Sequence, residues 1–137
     1  MNTCIIYFSR TGNTKKFAQA IADTTKAPIY DLTSAATATL ENCDLLIFGT
    51  PVEGASPTKE ALAYIENMPT VSGKKAIVFS TYRVFGNERT MKAVEKALSA
   101  KGYETILKVS KKGMKPEKEA DFSKELAEIK KTLENIK

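Results

Sequence analysis

The sequence predicts an α/β fold of three layers, a five-stranded parallel sheet of order 2-1-3-4-5 with helices on both faces. Two observations lead there. Cys4–Phe8, Leu45–Phe48 and Ala76–Phe79 are apolar throughout instead of alternating with polar residues, as strands are when both sheet faces are covered. Between these runs lie segments of helical period, and strands alternating with helices imply right-handed crossovers over a sheet covered on both sides. The order 2-1-3-4-5 puts the three apolar strands in the middle and leaves two weaker ones at the edges.

The first strand is Cys4–Phe8, and the helix after it places Phe17, Ala18, Ile21 and Ala22 on one face. The second strand, Ala27–Leu32, carries Pro28 near its start, a position an edge strand tolerates. Thr33–Asn42 has room for a short helix around Leu40 before the third strand, Leu45–Phe48. Ser56 and Pro57 then read as an N-cap and a first-turn proline, ahead of a helix burying Ala61, Leu62 and Ile65. Ala76–Phe79 is the fourth strand, followed by a helix with Met91, Val94 and Leu98 inward. Tyr103–Ser110, the fifth, carries Glu104 and Lys108, charges that discourage pairing at an open edge. The last helix is expected to open at Pro116, with Glu117 and Glu119 at its positive end and Phe122, Leu126, Ile129, Leu133 and Ile136 as its inward stripe.

A chain of 137 residues suits one domain, residues 1–137, able to bury roughly two-thirds of its unfolded surface. There is no histidine, which removes serine–histidine and cysteine–histidine catalysis and the usual zinc sites. No metal site is expected. The two cysteines, Cys4 and Cys43, are too few for a disulfide framework and read as small core residues of a protein in a reducing compartment. No apolar run approaches the ~20 residues that cross a bilayer, and no leader pattern precedes the first strand, so a cytoplasmic protein without a membrane partner is expected. The net charge of +5 comes from 21 basic and 16 acidic residues spread along the chain, a mildly positive surface rather than a nucleic-acid-binding arm. Cys4 and Arg10 have the spacing of a phosphatase loop, but a strand between them holds the two roughly 20 Å apart.

In such sheets ligands bind beyond the carboxyl ends of the strands, where the strand order reverses. The loops to inspect follow the first, third and fourth strands. The first of them, Ser9, Arg10, Thr11, Gly12, Asn13 and Thr14, offers hydroxyls, a flexible glycine and the free N–H groups of a helix start, a cradle for phosphate. Neither the P-loop nor the dinucleotide glycine pattern is present, so a small phosphate monoester fits better than a nucleoside triphosphate or a dinucleotide.

Ser9-x-Thr11-Gly12-Asn13-Thr14 after an apolar strand resembles the phosphate loop of the flavodoxins, which bind FMN. The likeness continues through Gly49, Thr50, Pro51, Val52, Glu53, Gly54 and Ala55, and again through Ser80, Thr81, Tyr82, Arg83, Val84, Phe85 and Gly86. The resemblance implies that Ser9–Thr14 hold the FMN phosphate, that Thr50–Ala55 and Thr81–Gly86 enclose the flavin ring, and that Ser80 belongs to the same cofactor-binding set. Gly54 matches the glycine whose peptide turns its carbonyl toward flavin N5, a movement helped by the absence of a side chain. Tyr82 matches a position in contact with the ring.

The chain also departs from the family. It has no tryptophan for the outer flavin face; Val84 falls near that place, with Phe85 beside it. Flavodoxins are usually acidic, whereas this chain is basic, with Arg83 and Arg89 in or just after the third loop. A positive charge ~8 Å from the ring, at an effective dielectric near 20, contributes roughly 2 kcal/mol, on the order of 90 mV for one electron before screening. The second reduction step is therefore expected at a less negative potential than in an acidic flavodoxin. The expected function is that of a flavodoxin, a non-enzymatic carrier that binds FMN noncovalently and shuttles electrons between a reductase and an acceptor protein with acidic docking surfaces, with no role for nucleic acid. The alternative is an FMN-dependent NAD(P)H:quinone-type reductase.

Overall fold

The computed structural model describes residues 2–35, 40, 42–112 and 121–136. Along the chain run β1 (Thr3–Tyr7), α1 (Asn13–Thr25), β2 (Ile29–Asp31), β3 (Leu45–Glu53), β4 (Ser56–Pro57), α2 (Lys59–Glu66), β5 (Lys74–Tyr82), α3 (Asn87–Ser99), β6 (Tyr103–Lys112) and α4 (Ser123–Asn135). The sheet order is β2-β1-β3-β5-β6, with every neighbouring pair parallel. The two-residue β4 pairs antiparallel with β3 off this path. Apart from β4, the order is the one the apolar runs predict.

Strand alternation explains the two cores. In β1, β3 and β5 every second residue faces one side: Cys4, Ile6, Leu46, Phe48, Ala76 and Val78 join Ala61, Ile65, Met91, Val94 and Leu98 of α2 and α3. Their neighbours Ile5, Tyr7, Leu45, Ile47, Ile77 and Phe79 join Phe17, Ala18 and Ile21 of α1 and Ile129 of α4. Phe17 is fully buried and stacks on Phe122, with ring centroids 4.8 Å apart. Because both faces are covered, neither strand face can be polar, and the sequence runs are apolar for that reason.

Four local expectations change. Helix α2 is capped by Thr58, whose Oγ1 accepts from the Ala61 N–H at 3.1 Å, while Ser56 and Pro57 form β4. A proline at the start of a strand looks the same in sequence as one at the start of a helix, and Thr58 is the better acceptor because it directly precedes the helical turn. Leu62 lies 37% exposed instead of in the core. Helix α4 begins at Ser123 with Phe122 as its N-cap, not at Pro116, although its expected apolar stripe does pack inward. Pro116, Glu117 and Glu119 lie outside the described residues, as does most of the helix expected around Leu40; Leu40 itself is buried.

The fourth change concerns the cysteines. Both are buried in the core, as expected, but they are joined in a Cys4–Cys43 disulfide. Pairing of Thr3 with Leu45 sets the start of β3 beside the start of β1, and Cys43, two residues before β3, lies with its Cα 5.9 Å from that of Cys4, within disulfide reach. A separation of 39 residues hides that proximity in the sequence.

Candidate functional site

Strands β1, β3 and β5 run parallel, with β3 and β5 continuing past the end of β1, and their three loops come out at one pole of the sheet. Tyr7 pairs with Gly49, Gly49 with Phe79, and Pro51 with Thr81. The Phe8 N–H donates to the Gly49 carbonyl at 3.0 Å and closes the end of β1 against β3. Gly49 lets the middle strand lie close to Phe79, because a Cβ there would run into that fully buried ring.

The first loop turns through Gly12, whose φ of 101° suits glycine, and enters α1 at Asn13. Ser9 folds back so that its Oγ accepts from the N–H groups of Gly12 at 3.1 Å and Lys15 at 3.2 Å. The N–H groups of Thr11, Asn13 and Thr14 find no protein acceptor among the described residues, as the first turn of a helix dictates. Thr14 Oγ1 is buried 2.7 Å from Thr81 Oγ1 of β5 and ties this loop to the third.

The second loop is a tight hairpin. Val52 pairs with Pro57 and Glu53 with Ser56, leaving Gly54 and Ala55 at the turn with φ of 59° and 61°. Positive φ at both central residues is the backbone that a two-residue hairpin of this twist requires. Thr50 lies buried below, its Oγ1 accepting weakly from the Thr58 N–H at 3.4 Å, so it supports the start of α2.

Arg10 and Glu53, expected to meet the cofactor separately, pair with each other. Arg10 Nε donates to Glu53 Oε2 at 2.5 Å and Nη2 to Glu53 Oε1 at 3.0 Å, while the same Nη2 reaches the Glu60 carboxylate of α2 at 3.0 and 3.1 Å. The guanidinium carbon also lies 5.0 Å over the Phe8 ring. The bonds to Glu53, then those to Glu60, raise the Arg10 pKa. Glu60 is held below its ordinary value by its own backbone N–H and then by Arg10. The pairs are exposed and individually weak, but the fork fixes the first loop against the hairpin and α2. Sequence reasoning missed Glu60, which stands fifty residues from its partner with no local signal.

The third loop leaves β5 with Ser80 and Thr81 buried, Tyr82 half-buried and Arg83 exposed. Val84 and Phe85 are 77% and 72% exposed; with Leu62 they are the exposed large hydrophobics of the described residues. Gly86, at φ 98°, starts α3 and touches the hairpin, since a Cβ there would fall 2.7 Å from Ala55 Cα.

Between the loops lies a cleft of about 170 Å³, lined by Arg10, Thr11 and Asn13 of the first, Pro51, Val52 and Glu53 of the second, and Thr81, Tyr82 and Arg83 of the third. The other expected residues divide in two. Ser9, Gly12, Thr14, Thr50 and Ser80 support the loops from behind or below. Gly54, Ala55, Val84, Phe85 and Gly86 belong to the second and third loops but are not among the residues that line the cleft. Together the three loops fit a phosphate monoester carrying a flat ring, the FMN that the sequence resemblance implies. N–H groups without a protein acceptor among the described residues stand at a helix start, and exposed Val84 and Phe85 directly follow the cleft-lining Arg83. The carboxylates at hand are already matched by Arg10.

The sequence profile of the flavodoxin domain family matches residues 4–101. An uncharacterised protein of Methanocaldococcus jannaschii is 31% identical over 108 residues, which span 77% of this chain and 71% of that protein. Oxidised flavodoxin 2 of Bacillus cereus superposes with a TM-score of 0.79 at 22% identity, covering 98% of this chain and 99% of the other. The flavodoxin of Streptococcus pneumoniae TIGR4 gives 0.78 at 18% identity, with 98% and 96% covered.

Proposed function

This chain belongs to the flavodoxin domain family, and on that footing we propose that it is a single-domain, non-enzymatic electron carrier that binds FMN noncovalently between its three loops. The observation that carries the reading is that residues of all three loops line one cleft, Thr11 and Asn13 of the helix start among them, while exposed Val84 and Phe85 directly follow the lining residue Arg83. Bound there, FMN would supply one-electron reduction and oxidation in two separate steps.

The N–H groups of Thr11, Asn13 and Thr14 take the phosphate, with the dipole of α1 behind them. Ser9 keeps the loop folded, and Arg10, bound to Glu53 and Glu60, holds the cradle and hairpin in register rather than opposing the phosphate charge. Val52, Tyr82, Val84 and Phe85 are the apolar and aromatic side chains that would cover the ring and keep water from it. The Gly54 carbonyl would be the group placed to accept a hydrogen bond from the flavin, at a turn where an added Cβ would meet no atom within 4 Å.

Arg83 and Arg89, with Lys112 opposite Tyr82 in the sheet register, give this pole of the sheet a positive cast. Partners with acidic docking faces, a reductase and an acceptor protein, follow from that charge, and the working place is the cytoplasm. No helix among the described residues is long and apolar enough to cross a membrane.

Anaerobic spectroelectrochemical titration of the FMN-loaded protein tests the reading. Two resolved one-electron steps with no steady-state NAD(P)H oxidation are expected. Rapid NAD(P)H oxidation by the purified protein alone would replace the carrier with an FMN-dependent reductase.

A further inference from the structure

At the pole opposite the three loops, at the start of β1 and just ahead of β3, the Cys4–Cys43 disulfide stands in the wall of an open cleft of about 460 Å³. That cleft is larger than the one between the loops and shares no residue with it. Thr3, Pro28, Tyr30 and Asn42 also line it, and Lys26 is the one charged side chain among its described lining residues. Cys43 is 1% and Cys4 7% exposed, so both sulfurs lie behind the surface, out of reach of a cysteine on a flat protein face. A molecule small enough to enter the cleft meets them, and the Lys26 ammonium favours one that carries a carboxylate.

We propose that Cys4 and Cys43 form a thiol–disulfide exchange site, addressed through this cleft by a small carboxylate-bearing thiol. The incoming thiolate attacks Cys4 Sγ, the sulfur of the less buried residue. A bond forms between the two, the Cys4–Cys43 bond breaks, and Cys43 leaves as a thiolate that takes a proton from water. A second small thiolate attacks the first at its mixed disulfide and releases Cys4, which is protonated in turn. The protein pair gains two electrons, and two small thiols are oxidised to their own disulfide. Both thiols then remain in the apolar cluster on that sheet face, where a cysteine packs as a small hydrophobe. The site acts without flavin and is independent of the carrier reading.

The full-length oxidised protein is treated at about pH 8 with 3-mercaptopropionate or cysteamine, thiols of similar reach and opposite charge, and quenched with a maleimide for intact-mass analysis. Each rate is divided by that thiol's rate on an uncharged small disulfide, which removes differences in intrinsic reactivity. Two thiols are expected to appear together while native circular dichroism persists, with 3-mercaptopropionate favoured about fivefold and the preference falling to about one in Lys26→Asn. Asparagine suits that position because Lys26 has a φ of 63°. Cys43→Ser, incubated instead with 3,3′-dithiodipropionate, is expected to form a mixed disulfide at Cys4 with release of one 3-mercaptopropionate. Two free thiols after equilibration with oxidised glutathione, reduction only in denaturant, or a charge preference unchanged in Lys26→Asn would each overturn the proposal.

Discussion

Replacing Gly86 by alanine tests whether the second and third loops hold each other in place. Two costs apply. The φ of 98° strains an L-residue by about 1–2 kcal/mol. The new Cβ would also sit 2.7 Å from Ala55 Cα and 3.1 Å from Val52 Cγ1, and displacing that hairpin costs about 1–3 kcal/mol more. Gly54→Ala provides the control. Its φ of 59° brings the strain alone, about 1 kcal/mol, because no atom lies within 4 Å of the added Cβ. Both changes also stiffen the unfolded chain, an effect that cancels in the difference. Urea unfolding of the FMN-free variants is expected to show Gly86→Ala less stable than Gly54→Ala by about 1–3 kcal/mol. Fluorescence titration is expected to show FMN affinity at least about tenfold weaker in Gly86→Ala than in Gly54→Ala. Equal stability and equal affinity in the two variants would refute the contact between loops.

Gly49→Ala is expected to lose about 2–3 kcal/mol in the same unfolding assay, because its methyl group must push aside the buried Phe79 ring. In the loaded protein, Arg83→Gln is expected to lower the second reduction potential by about 50 mV, since Arg83 lines the cleft; Arg89→Gln, whose residue does not, shifts it less. Burial raises the pKa of Tyr64 and Tyr103, with Tyr103 also raising that of Tyr64. An acid whose folded pKa is raised adds stability that is complete below its unfolded value of 10.0 and declines as pH climbs above it. Denaturation midpoints should therefore fall above pH 10, and Tyr64→Phe should flatten that fall. The same variant should keep its neutral-pH stability, because the buried Tyr64 hydroxyl has no hydrogen-bond partner among the described residues.

The central strands were legible because burial on both faces leaves only apolar residues in β1, β3 and β5, a pattern carried by consecutive positions. Their sheet order followed from the same runs and from the charges of the outer strand. The three loops were legible because they follow those strands directly. What the sequence hid depends on residues far apart. Arg10 meets Glu60 only once β1 and α2 are in place, and Cys4 meets Cys43 only through parallel pairing. The hairpin at Gly54 and Ala55 was hidden for another reason: Ser56 and Pro57 suit a helix start as well as a two-residue strand, and pairing with Val52 and Glu53 decides between them.

Calorimetric titration of the FMN-free protein with FMN and, separately, with riboflavin tests the phosphate cradle and the ring cleft together. The account predicts one FMN per chain bound at or below about micromolar Kd, and riboflavin weaker by at least about a hundredfold for want of the N–H contacts to phosphate. No heat with FMN at micromolar concentrations, or riboflavin bound as tightly as FMN, would contradict it.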